Sequence, residues 1–211
     1  MSATGIGAAV RRKEDQRFIT GRGHYTDDVN RPGQAHAMFV RSPHAHARVT
    51  AIDVGEALAT AGVVAVLTGA DLEADGVRAF PPNPMLKPDA EKSVASVSFP
   101  ALAVGAVRFV GQPVAVVLAE SQAAAERAAN LVQIDYDALP AVANLDAALA
   151  PSAPCVWPGT RGNVVGKASY GDRAACEKAF AAAAHRVAIA IDNQRLAPVT
   201  LEPRGCVAQF D

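Results

Sequence analysis

The sequence is poor in cysteine, and its three cysteines lie far from one another in a chain of 211 residues. They are Cys155, Cys176 and Cys206. Because they include no C-x-x-C pair and no even set at regular spacing, they match neither a structural zinc site nor a disulfide framework. We therefore expect unpaired thiols and no metal site built from cysteine.

Long apolar runs are also missing. The longest, Pro113–Ala119 and residues 187–191, are far shorter than the roughly 20 residues that span a bilayer as a helix. Residues 1–10 lack the basic start and apolar centre of a signal peptide, and a charged stretch follows at once. These absences predict a cytoplasmic protein that has no membrane partner.

Neither sign of charge is in excess. The chain has 20 Lys and Arg against 21 Asp and Glu, for a formal net charge of -1. A balanced charge gives no general attraction to phosphate backbones, so nucleic acid is not expected as a partner. Half of the residues are hydrophobic and 19% are charged, which is typical of globular domains.

The common motifs of nucleophilic, metalloprotease, phosphate-binding and calcium-binding sites do not occur. His44 and His46 have a spacing that places both rings on one face of a strand, but no third ligand is nearby, so we expect exposed or carbonyl-bonded histidines. Asp135 and Asp137 could mimic a catalytic carboxylate pair, yet the solvent face of an edge strand explains them better. We predict no catalytic and no metal-binding residue in this chain.

Apolar patterns and turn residues predict a strand–helix–strand order that occurs twice. The strands are predicted at residues 34–41, 47–54, 63–67, 107–110, 113–119 and 132–139. The helices are predicted at residues 55–60 and 122–131, the second with Ser121 as its cap. The continuous run at 113–119 is typical of a strand buried on both faces. If the strands beside a helix pair in parallel, a right-handed crossover connects them. The expected domain is α+β, with a mixed sheet and flanking helices.

Less regular segments surround this domain. Residues 10–26 are predicted to be an extended or irregular arm, the proline-rich residues 78–100 a long surface connection, and residues 150–166 part of a linker. Beyond the linker we expect a helix at 174–183, capped by Asp172, and two strands at residues 186–192 and 201–210. This is too little structure for a core of its own, so we expect the truncated start of a second α/β domain.

The turn F-V-G-Q-P at residues 109–113 is the most informative local pattern. Gly111 permits a tight turn, Gln112 offers both a donor and an acceptor, and Pro113 fixes the entry into the next strand. Two interpretations stay open, a structural joint or a wall of a cofactor or substrate channel. The second makes Gly111 and Gln112 the candidate cofactor-binding residues of the chain.

Five groups of segments form an ordered set along the chain. They are R-R-K-E-D-Q-R-F-I-T-G-R-G-H-Y-T-D-D at 11–28, R-S-P-H-A-H-A-R-V at 41–49, F-V-G-Q-P-V-A-V-V-L-A-E-S at 109–121, V-Q-I-D-Y-D-A-L-P-A-V at 132–142, and N-Q-R-L-A-P with L-E-P-R-G at 193–198 and 201–205. Together they resemble the molybdopterin-binding large subunits of the xanthine dehydrogenase, aldehyde oxidase and carbon monoxide dehydrogenase family.

The resemblance implies a domain order. This order is an N-terminal arm at 1–20, an a/b hammerhead domain at 21–149, a linker at 150–170 and the truncated start of the first molybdopterin-binding domain at 171–211. The family's glycine-rich loop at the molybdenum centre and its C-terminal segment with the glutamate base have no counterpart here. Glu202 matches a motif at a domain entry and not that base.

The resemblance also implies cofactors and partners. The complete subunit is expected to bind molybdopterin cytosine dinucleotide, whereas this chain binds no cofactor itself. The expected partners are an iron–sulfur small subunit with 2Fe-2S clusters, an FAD-binding medium subunit and the remainder of the large subunit.

The resulting hypothesis is the N-terminal portion of the large subunit of a molybdenum hydroxylase. Such an oxidoreductase hydroxylates aldehydes or N-heterocycles, or oxidises carbon monoxide, with oxygen derived from water, and the isolated portion is expected to be inactive. The alternative is a stand-alone, non-catalytic module that docks on the iron–sulfur and flavin subunits or on a separately encoded remainder.

Overall fold

The computed structural model describes residues 9–80, 97–160, 162–165, 171–193, 196, 199–200 and 204–210. The chain divides into a central unit, Ala35–Arg186, and a terminal unit made of Met1–Gln34 and Val187–Asp211. Among the described residues, no helix combines the length and the apolar character that a membrane crossing requires.

Six strands and six α-helices are present in the described ranges. The strands are β1 (His36–Arg41), β2 (Ala47–Asp53), β3 (Val63–Thr68), β4 (Ala106–Val107), β5 (Pro113–Ala119) and β6 (Gln133–Ala138). The helices are α1 (Asp15–Ile19), α2 (Gly55–Leu58), α3 (Gly69–Ala74), α4 (Gln122–Ala129), α5 (Leu145–Leu149) and α6 (Arg173–Ala182). Five of the six strands predicted for the central unit are confirmed, most with shifted ends. The strand predicted at 107–110 is replaced by the two-residue β4, which shares only Val107 with it.

The strands of the central unit form two three-stranded sheets, in the orders β1-β5-β3 and β4-β2-β6, and all hydrogen-bonded pairs are antiparallel. The α+β class with flanking helices is confirmed. The condition for a right-handed crossover, parallel pairing of the strands beside a helix, is not met: β2 and β3 flank α2 but lie in different sheets, as do β5 and β6 around α4. Apolar patterns locate a strand, but they do not identify the strand with which it pairs.

Strand β5 is the centre of the core. Successive side chains of a strand point to opposite faces, and on one face Ala115, Val117 and Ala119 are fully buried. Helices α2 and α4 supply the alanines that pack against Val117 and Ala119. On the other face Val114 packs with residues of the second sheet, whereas the positions that follow it on that face are half-buried. The sequence predicted that both faces of β5 are buried. One face is fully buried, and the other is only partly buried.

Side-chain caps start three of the helices. Ser121 accepts a hydrogen bond from the Ala124 N–H of α4 at 3.3 Å, and Asp172 accepts one from the first turn of α6 at 2.9 Å, so both predicted caps are confirmed. Asn144 caps α5 in the same way at 2.8 Å. Sequence reasoning missed α5, and it missed α1 within the predicted arm, because five residues are too few for a helical apolar period to show.

The terminal unit contains α1 and a 3-10 turn at Thr26–Asp28. The rings of Phe18 and Tyr25 stack with their centroids 5.8 Å apart. Within the same unit, Nη1 of Arg31 donates to Oε1 of Gln209 at 3.0 Å. These contacts hold short pieces of chain that lack a sheet of their own in the described ranges.

The strand predicted at residues 186–192 is wrong, because no strand forms there. Of the strand predicted at 201–210, residues 201–203 lie outside the described residues, and 204–210 form no strand. The apolar alternation of 187–191 has the period of a strand, but a strand also needs a hydrogen-bonded neighbour, and the described residues provide none. Most of the predicted connection at 78–100 also lies outside the described residues, at 81–96.

Gly69 is a strict packing position at the start of α3. A Cβ at this position would overlap the carbonyl oxygen of Ala103, a backbone atom that cannot move aside cheaply. Gly69→Ala is expected to lower the free energy of unfolding by about 1–3 kcal/mol, the usual cost of overpacking. The matched control is Gly55→Ala, where the new Cβ meets only a side-chain oxygen of Asp53 at 3.2 Å and the expected change is below about 1 kcal/mol. Urea unfolding of both variants checks this, and equal losses would contradict it.

Candidate functional site: the Gly111-Gln112 turn

The turn at Gly111 and Gln112 lies between β4 and β5 in the chain and is hydrogen-bonded to Ser42, the residue that follows β1. Gly111 has φ +85°, a left-handed conformation that costs glycine little. Its N–H donates to the carbonyl of Ser42 at 2.8 Å, and the Ser42 N–H donates to the carbonyl of Gln112 at 2.9 Å. These reciprocal bonds hold the turn against the buried residue that follows β1.

The side chain of Gln112 points into the protein and is only 6% exposed. The side-chain Oε1 accepts a hydrogen bond from the backbone N–H of Arg108 at 2.7 Å. The backbone N–H of Gln112 donates to the carbonyl of Phe109 at 3.2 Å. Gln112 therefore closes the loop that leads into β5, which favours the structural joint. A part for Gly111 and Gln112 in the wall of a channel stays a prediction.

Arg108 is a partly desolvated cation beside this turn. Its guanidinium lies over the ring of Trp157, with Cζ 4.1 Å from the centroid, and Nη1 donates to the carbonyl of Ala106 at 3.2 Å. Nε is buried, and no described residue forms a hydrogen bond with it. Burial lowers the pKa of Arg108, because a charged group loses hydration inside the protein.

The Trp157 ring also meets the ring of Phe99, edge to face, at a centroid distance of 5.0 Å. Sequence reasoning missed Arg108 and Trp157 as a pair. One signal was available, because Trp157 is the single tryptophan of the chain and stands in a segment predicted to be a linker.

The structure does not bring His44 and His46 together with a third ligand in the described residues. Nδ1 of His46 lies 2.8 Å from the carbonyl oxygen of Pro140, so the expected carbonyl bond is confirmed. The ring of His44 lies 4.7 Å from that of Tyr136. Both imidazoles are therefore explained by local packing.

Asp135 and Asp137 lie exposed on β6, which is an edge strand of its sheet. Asp137 approaches Arg48 of the neighbouring strand at 3.6 Å, and both side chains are exposed. An exposed pair of this kind contributes little stability. The solvent-face interpretation of the two carboxylates is therefore the one that the structure supports.

The turn does not fit a dinucleotide cofactor as a primary binding site. Such cofactors carry phosphates, which are usually held by several converging N–H groups or cations. Here the N–H groups of Gly111 and Gln112 donate to carbonyl oxygens of the protein. The described residues also contain no group of three or more His, Cys, Asp or Glu side chains that could hold a metal ion.

Comparison with known families matches residues 20–140 to the a/b hammerhead domain of aldehyde oxidase and xanthine dehydrogenase. The match covers more than half of the 211 residues. The chain belongs to the aldehyde oxidase and xanthine dehydrogenase family. The resemblance predicted from the ordered segments is therefore confirmed, together with the α+β hammerhead fold.

Relatives of this aldehyde oxidase and xanthine dehydrogenase family member are much longer. The large subunit of nicotine 6-hydroxylase from Paenarthrobacter nicotinovorans is 40% identical over 211 residues, a match that covers 98% of this chain and 24% of that subunit. The large chain of carbon monoxide dehydrogenase from Hydrogenophaga pseudoflava is 38% identical over 215 residues, covering 94% and 25%. The chain thus spans about a quarter of the length of these relatives.

Solved structures of the family are similar to the chain as well. Quinoline 2-oxidoreductase from Pseudomonas putida 86 is 42% identical with a TM-score of 0.65. The match covers 76% of this chain and 20% of the quinoline 2-oxidoreductase chain. A Cu,Mo-CO dehydrogenase is 34% identical with a TM-score of 0.67, and this match covers 87% of this chain and 23% of the dehydrogenase chain. The sequence and the fold of the chain are therefore similar to these structures over about three quarters or more of its length.

The buried bond of Gln112 gives a direct test of the joint. Gln112→Leu keeps much of the side-chain volume but leaves the Arg108 N–H without its acceptor, so the free energy of unfolding should fall by about 1–3 kcal/mol. The control Gln133→Leu, on the exposed edge of β6, should change it by less than about 0.5 kcal/mol. Urea unfolding compares them. A loss at Gln112 no larger than at Gln133 would mean that the bond does not hold the loop.

Proposed function

We propose that the chain is the N-terminal portion of the molybdenum-binding large subunit of a hydroxylase. The complete enzyme would be an oxidoreductase that hydroxylates aldehydes or N-heterocycles, or oxidises carbon monoxide, with oxygen derived from water. The observation that carries the proposal is the match of 98% of this chain to 24% of the large subunit of nicotine 6-hydroxylase. A xanthine dehydrogenase subunit from Escherichia coli O157:H7 that is named molybdenum-binding is 34% identical over 139 residues.

In this proposal the molybdopterin cytosine dinucleotide is bound by other parts of the large subunit. The inward-directed N–H groups of the Gly111-Gln112 turn support this placement, because they are already bonded to the protein. The proposed partners are a small subunit with 2Fe-2S clusters and a medium subunit with FAD. Relatives that are named as subunits, among them subunit gamma of a 6-hydroxypseudooxynicotine dehydrogenase complex, support an assembly of several chains. The cytoplasmic location and the domain limits at 21–149 and 171–211 stay predictions.

An exposed apolar row in the terminal unit supports the need for further chain. Val187, Ile189 and Ile191 occupy alternate positions of a segment that forms neither helix nor strand, and they are 92%, 80% and 78% exposed. Three large apolar side chains in one row are costly to leave in water, and such a row normally faces a packed neighbour. We propose that the rest of the subunit covers them.

The first experiment measures molybdenum in the purified 211-residue chain, produced in a host that makes the cofactor. We expect no more molybdenum than in a buffer blank, and no oxidation of aldehydes or N-heterocycles, because the proposed cofactor ligands lie elsewhere. The control is the complete nicotine 6-hydroxylase large subunit with its partner subunits, produced in the same host. Stoichiometric molybdenum in the isolated chain would contradict the proposal.

A second experiment separates a portion of a subunit from a stand-alone module. The gene is sequenced beyond the codon of Asp211. A continuous reading frame into further domains of the large subunit is the expected result. A stop codon at that point, followed by a second frame for the remaining domains, would favour the module that docks on separately encoded chains.

A further inference from the structure

Arg108 is a cation without a counter-charge among the described residues. The ion pairs of the described ranges join other residues: Arg12 with Asp15, Arg48 with Asp137, and Arg173 with Glu177. Arg108 Nη1 is bonded to a carbonyl, Nε is buried without a partner, and Nη2 has no acceptor in the described residues. A partly desolvated cation that lacks a carboxylate is unfavourable, and an added anion relieves that cost.

Apolar rings surround this cation on one side. Trp157 lies under the guanidinium, and Phe99 meets the edge of Trp157. Phe80 pairs with Phe99 in an isolated antiparallel bridge, with its N–H 2.9 Å from the Phe99 carbonyl oxygen. Directly opposed residues of such a bridge place their side chains on the same face. Phe80 and Phe99 are 65% and 45% exposed, so the rings continue to the surface.

The turn described above positions this surface. Gln112 holds the backbone of Arg108 through its buried Oε1, and the planar guanidinium is further held by the Ala106 carbonyl and the Trp157 face. A pre-set arginine loses less freedom on binding than a mobile one. Because the cation and the rings are held before any ligand arrives, the surface is suited to recognition rather than to general stability.

We propose that Arg108, Trp157, Phe99 and Phe80, the arginine–aromatic surface, dock a segment of the remaining large subunit that carries an Asp or Glu beside an aromatic or aliphatic side chain. The carboxylate would accept from Nη2 of Arg108, and the apolar neighbour would cover the exposed rings. This inference rests on the proposed function, since the docking segment belongs to the part of the subunit that this chain does not include.

Charge and composition favour this occupant over others. A single cation flanked by rings complements one carboxylate and one apolar group, and charge-assisted bonds to arginine are among the stronger ones available. A nucleic-acid backbone would need several cations in a row. The relatives of which this chain spans about a quarter have ample further sequence to supply such a segment.

The test uses the fluorescence of Trp157, the single tryptophan of the chain, and therefore needs neither molybdenum nor activity. The intact chain is titrated with two capped peptides that differ only in charge, N-acetyl-phenylalanyl-aspartyl amide and N-acetyl-phenylalanyl-asparaginyl amide. We expect the aspartyl peptide to bind about tenfold more tightly, the factor that one charge-assisted hydrogen bond typically gives. Equal affinities, or no saturable change with either peptide, would overturn the proposal.

Three variants test whether the preference for the aspartyl peptide depends on Arg108. Arg108→Gln should abolish the preference for the aspartyl peptide, Arg108→Lys should retain part of it, and Arg127→Gln, an exposed arginine on α4, should leave it unchanged. If Arg108→Gln does not fold, the comparison of the two peptides on the unaltered chain still tests the proposal.

A small carboxylate distinguishes a protein segment from a free ligand. Phenylacetate that binds as tightly as the aspartyl peptide would identify a site for free carboxylates and would overturn docking of a protein segment. Failure of this binding test leaves the molybdenum measurement unaffected, so the two proposals fail separately.

Discussion

Strand β5 must satisfy its backbone along both edges while one of its faces is sealed from water. Strands β1 and β3 provide the hydrogen bonds, and helices α2 and α4 cover Val117 and Ala119. Small alanines from α4 allow the helix to lie close to the sheet. A shift of one residue in β5 would replace the small Ala115 and Ala119 on the helix-covered face by larger valine or leucine side chains. The point at which the strand starts therefore determines the packing of the unit.

That starting point is the Gly111-Gln112 turn, and the same turn connects the core to the surface. Its backbone is bonded to Ser42 at the end of β1, which aligns β5 with its neighbour. Its Gln112 side chain holds Arg108, and Arg108 in turn lies on Trp157, far along the chain. One buried hydrogen bond thus links strand register to the arginine–aromatic surface, where we expect the rest of the subunit to dock.

Strand bounds and helix caps could be predicted from neighbouring residues in the sequence. Contacts between residues distant in the chain could not. The bounds of β5 and the caps Ser121 and Asp172 follow from a continuous apolar run and from side chains that accept N–H bonds within one turn. The choice of strand partners and the Arg108–Trp157 contact depend on residues distant in the chain, which no periodic pattern records. The strand predicted at 186–192 is wrong for the same reason. Alternating apolar residues do not show whether a second strand is present to pair with the segment.

The central unit, Ala35–Arg186, is expected to be a stable fold around β5, whereas the apolar row at 187–191 needs further chain to cover it. Hydrogen–deuterium exchange on the 211-residue chain tests this most directly. Amides of residues 114–119 should exchange slowly, with protection close to that of global unfolding, and amides of residues 187–193 should exchange within the first time point. Protection of 187–193 equal to that of β5 would show that this segment is already packed without further chain.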